Sequence, residues 1–103
     1  MATSREELKN AVHTLLNDVI EQGFHHLIHH PQQSDELNRI IKDATDELSY
    51  LNVKIDAHSF RPDSPQLQHH FESISRDAQR KSIDLLSMIQ KIQHADNPRL
   101  KRT

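Results

Sequence analysis

The chain has 103 residues, with one glycine, no cysteine, no tryptophan and nine histidines; 34% of it is hydrophobic, 27% is charged, and the formal net charge is −2. That length fits one domain. The missing cysteines exclude a disulfide scaffold, a thiolate metal site and a thiol nucleophile. The single glycine excludes a glycine-rich phosphate loop, and the charge balance argues against a surface given over wholly to nucleic acid.

Prolines punctuate the chain. Pro31, Pro62, Pro65 and Pro98 bound three long segments, because a proline inside a helix costs about 3 kcal/mol. The first helix is expected over about 5–30. Ser4 and Glu7 stand as N-cap and N3 of a capping box. Apolar residues then recur at 8, 12, 15, 16, 19, 20, 24, 27 and 28, which is helical spacing rather than strand alternation. Gly23 is the one internal weakness, at roughly 1 kcal/mol relative to Ala.

The second helix is expected over about 35–57, with Ser34 as N-cap and Asp35 and Glu36 at the positive end of its dipole. Leu37, Ile41, Ala44, Leu48, Leu51 and Ile55 form a seam like that of a coiled coil. Residues 58–65 read as a linker in which Phe60 plugs one end of the bundle. The third helix is expected over about 66–94, with Ser64 as N-cap and Pro65 at the first position. Leu67, Phe71, Ile74, Ala78, Leu85, Ile89 and Ile92 mark its buried face. Asp35/Arg39, Arg39/Asp43, Glu72/Arg76 and Asp77/Lys81 are spaced as helix-supporting charge pairs.

These elements predict an all-α protein: three long antiparallel helices in an up-down-up bundle, one domain over about 1–97, followed by a basic, flexible tail at 98–103. No start of signal-peptide type and no run of membrane-span length is visible, so the reading is soluble and cytoplasmic.

The first helix carries an apolar arc of roughly 220° when residues are set about 100° apart, wider than two neighbours cover. A second copy of the chain is the expected cover, and dimerisation is a common remedy for a thin core. Leu16, Ile20, Phe24 and Leu27 are the expected interface residues. The resulting function is a non-catalytic interaction or regulatory module that self-associates and also suits a partner protein's helix, without a cofactor.

The alternative is a helical bundle that binds a Zn, Ni or Cu ion. Phe24-His25-His26-Leu27-Ile28-His29-His30 contains two i,i+4 histidine pairs, and histidines one turn apart on a helix reach one ion, as in His-Glu-x-x-His. Glu21, His25 and His29 form a ladder of ligand-type donors, with His26 and His30 at the edge of the apolar arc. Against a metal, histidines at a helix C-terminus also answer its dipole. The topology gathers His13, His58, His69 and His70 at one end of the bundle and His25, His26, His29, His30 and His94 at the other, with His13 expected inside the core. With ordinary histidine pKa values near 6.5, acid turns the net charge positive and loosens any interface that contains them.

Other chemistries find less support. No histidine has the setting of a phosphotransfer site, and no serine sits in an elbow of nucleophile type. Arg76, Arg80, Lys81, Arg99, Lys101 and Arg102 give the last segment a basic bias, but Tyr50 is the only Tyr or Trp available to stack on bases.

Overall fold

The computed structural model describes residues 4–95, with side chains described as far as Ile92. Three helices carry the architecture: α1 (Arg5–His29), α2 (Ser34–Asp56) and α3 (Pro65–Ala95), with a 3₁₀ turn at Pro31–Gln33 between the first two. No strand occurs among the described residues. The basic segment 98–103 lies outside them.

The boundaries follow from local chemistry. Ser4 caps α1: its Oγ accepts the Glu7 N–H at 3.1 Å, and its carbonyl accepts the Leu8 N–H at 3.0 Å. α1 stops where Pro31 forces the preceding residue out of the helical region; His30 has φ −134° and ψ 64°. Ser64 caps α3 by accepting the Leu67 N–H at 3.2 Å, and Pro65 occupies the first helical position.

The start of α2 differs from expectation. Ser34 is already helical (φ −60°, ψ −37°), and Gln33 before it makes no side-chain cap. The 3₁₀ turn runs directly into the helix, and the Ser34 N–H donates to the Pro31 carbonyl. A backbone partner therefore replaces the side-chain cap for one of the donors that a helix start leaves open.

The buried stripes meet in two clusters. One contains Leu8, Val12, Leu16, Leu51, Ile55, Leu67, Phe71, Ile74 and Ala78; the other contains Val19, Leu37, Ile40, Ala44, Leu85, Ile89 and Ile92. Between Ala78 and Leu85 the buried position on α3 is Ser82, whose Oγ donates to the Gln79 carbonyl at 2.9 Å. The hydroxyl is thus satisfied within its own helix, which is what allows a polar side chain to sit there. Small residues and a serine form a waist between two apolar halves.

Ion pairs report the antiparallel register. Arg5 and Lys9 at the start of α1 both meet Asp56 at the end of α2, the lysine at 2.8 Å. Lys81 reaches Asp43 at 3.1 Å, and Asp77 reaches Lys54 at 3.9 Å. Asp77 and Lys81 therefore cross to α2 instead of pairing along α3, because both face the neighbouring helix. Near the other end of α1, Gly23 is buried, and a Cβ there would lie 2.6 Å from Ile41 Cγ1. The helix weakness is also a point where α1 and α2 approach closely. The bundle measures 58 × 22 × 15 Å, little thicker in its shortest dimension than one helix of about 10–12 Å.

Candidate functional site

The C-terminal half of α1 carries both features singled out from the sequence: the apolar excess and the histidine string. Of the four expected interface residues, Leu16 is 0% exposed and belongs to the intrachain core. It has no surface to offer a second chain. Ile20 and Leu27 are half-buried against the second cluster. Phe24 is 50% exposed and Ile28, one turn further on, is 76% exposed. The wide arc is thus two stripes. Residues 8, 12, 16, 19 and 23 are buried by α2 and α3; residues 20, 24, 27 and 28 form the flank beside them. Ile28 belongs on the candidate surface in place of Leu16. It could have been found by removing one full i, i+4, i+7 stripe from the apolar set and keeping what remained.

Two grooves run along α3. One, of about 600 Å³, lies between α2 and α3 over Ile40, Leu85, Met88 and Ile92, with Glu36, Arg39, Asp43 and Lys91 around it. The other, of about 500 Å³, lies between α1 and α3 over Leu8, Ala11 and Phe71. Both are open troughs rather than enclosed pockets.

The histidines separate by what their nitrogens do. His25 and His29 are exposed, and their rings lie 4.7 Å apart, edge to face at 61°. His26 and His30 are half-buried and stacked at 5.7 Å, and His26 Nδ1–H donates to the Gln22 carbonyl at 2.9 Å. Glu21 turns away from the ladder: its Oε1 accepts from Asn17 Nδ2 at 3.2 Å. Glu21 and His29 are also separated by two turns, about 12 Å along the axis, too far to converge readily on one ion. Among the described residues, no three His, Cys, Asp or Glu side chains are placed to hold a metal.

At the opposite end, the expected gathering is partial. His58 and His70 meet at 5.4 Å beside Phe60 and Phe71. His58 Nδ1 accepts the Phe60 N–H at 3.2 Å, and His70 Nε2–H donates to the Lys54 carbonyl at 2.8 Å, one of the last carbonyls of α2. Phe60 lies over these rings with 41% of its surface exposed rather than plugging the core. His13 and His69 lie exposed outside the cluster; His69 Nδ1 is 4.0 Å from Glu72. The exposure of His13 corrects its expected place in the core. It follows Val12 around α1 by about 100°, and α2 and α3 cover the Val12 side. The His94 side chain lies outside the described residues.

Only two ionisable groups are clearly perturbed among the described residues. Hydrogen bonds from Lys9 and then Arg5 hold the Asp56 carboxyl below the usual carboxylate range. The hydrogen bond to Asp46, at 2.8 Å, raises Lys42. Both are surface ion pairs, and none of their residues lines either groove. No described helix is long and apolar enough to cross a membrane.

Compared with protein-family models, with curated proteins and with solved structures, the chain matches none.

Proposed function

We propose that the chain is a non-catalytic helical module that pairs with a second copy of itself through the exposed flank of α1. The observation that carries this reading is the adjacent exposure of Phe24 and Ile28 beside half-buried Ile20 and Leu27. Two large apolar side chains one turn apart on a helix are the anchors of helix-against-helix recognition. An isologous, antiparallel pairing about Phe24 sets Ile20 of one chain against Ile28 of the other. It also brings Glu21, a hydrogen-bond acceptor, toward the His25 and His29 rings of the copy. The thin bundle gains from this the burial that its own three helices leave incomplete. The same flank suits an amphipathic helix of a partner protein.

Sedimentation equilibrium tests the reading. The native chain should weigh as a dimer, and Phe24→Asp/Ile28→Asp should weigh as a monomer with unchanged helical circular dichroism. A native monomer, or a folded double variant with dimer mass, would overturn it.

A further inference from the structure

We propose that His25 and His29 form a two-imidazole chelate for a late first-row divalent metal ion, independently of whether two chains pair. Three observations converge on this pair. The first is geometry: residues four apart project from one helix face, and these two rings stand 4.7 Å apart, edge to face. The second is availability. Both side chains are exposed, and neither ring nitrogen is engaged by a hydrogen bond or ion pair among the described residues. The other close pair differs: His58 Nδ1 accepts from the Phe60 amide, and His70 Nε2 donates to the Lys54 carbonyl. His26 has its Nδ1 bound to Gln22.

The third is the local field. His29 is the last residue of α1, so the pair spans the terminal turn, where the partial negative charge of a helix C-terminus favours a cation. Exposed Glu21, one turn before His25, adds a full negative charge.

The donor set defines the class of ion. Neutral imidazole suits copper, nickel and zinc, and affinity at such a site follows the order in which Cu²⁺ exceeds Ni²⁺ and Zn²⁺. Calcium and magnesium take oxygen donors and are excluded. Two protein ligands leave the remaining coordination positions to water, so the site is open and its ion exchanges readily.

The test is titration of the untagged full-length chain with nickel chloride and with copper sulfate. Calorimetry gives affinity and stoichiometry, and paramagnetic broadening of histidine ring protons by Ni²⁺ gives the location. The expected result is one ion per chain, with His25 and His29 broadened first. His25→Gln and His29→Gln should each weaken binding by at least roughly tenfold, since even loss of a group that only orients a ligand costs 10–100-fold. His58→Gln should leave affinity unchanged. The proposal is overturned by a native affinity no tighter than that of either single variant. It is equally overturned if His26→Gln or His30→Gln, rather than these two, removes the binding.

Discussion

The two ends of the bundle solve the same packing problem in different ways. At the end where α1 begins, α2 finishes and α3 starts, the core is closed by specific polar contacts. Arg5 and Lys9 converge on Asp56, His70 ties α3 to the last turn of α2, and the His58 and His70 rings meet Phe71 as well as Phe60. At the end where α1 finishes, a close backbone approach stands out. Gly23 lets α1 settle onto Ile41, and the flank beside it carries exposed Phe24 and Ile28 with a free histidine pair. The first end turns its charged and aromatic side chains toward one another; the second also holds an exposed apolar flank and an exposed histidine pair. The proposed contacts with a second copy and with an ion both fall at the second end.

The sharpest way to break this contrast is to remove apolar side chains from the two stripes of α1. Leu16→Ala should cost about 2–5 kcal/mol, the range for a fully buried leucine. Ile28→Ala should cost under about 0.5 kcal/mol, as expected of a surface position. Urea unfolding at high dilution, where the chain is monomeric, measures both; similar losses would erase the distinction between the stripes.

A smaller effect is expected at the close approach. Gly23→Ala gains about 1 kcal/mol of helix propensity but forces a methyl group against Ile41, and overpacking costs about 1–3 kcal/mol. The net loss should be about 1 kcal/mol. In an Ile41→Ala background the substitution should become stabilising, a reversal that a double-mutant cycle detects. A loss of the same size in both backgrounds would mean that Gly23 is not there to admit Ile41.

The smallest effect concerns the polar closure at the other end. The Asp56 carboxyl is held below its ordinary value of 3.8 by Lys9 and Arg5. A lowered folded-state value contributes stability that is fully present above the unfolded value and is lost as pH falls through the folded one. The stability difference between the native chain and Asp56→Asn should therefore be constant near neutrality and shrink only below about pH 3.8. It should also shrink with added salt, because the pair is exposed. Denaturation curves across pH and ionic strength measure it, and a difference that grew on acidification would contradict the pairing.

Helix number, order and limits are legible in the sequence because prolines and capping serines act locally, whatever the rest of the chain does. Start and stop of all three helices fall within a residue or two of expectation. What stays hidden depends on neighbours. Periodicity locates the apolar arc of α1, but Leu16 and Phe24 both lie on it, and only the positions of α2 and α3 decide which is covered. The same ignorance of neighbours puts His13 inside. Ser82 escapes notice because a serine breaks the apolar pattern, although its spacing from Ala78 places it on the buried face. Of the histidine site, the i,i+4 pairing is readable. The helical face map also separates His25 and His29 from His26 and His30; what it does not show is that Glu21 turns aside to Asn17.

The waist at Ser82 has an energetic meaning. Two apolar cores in series, joined through a small and partly polar section, divide the burial of the rod into two halves. Each half keeps its own store of cohesion. Opening one half while the other stays packed exposes only one of the two clusters, so such local opening costs less than unfolding the whole chain.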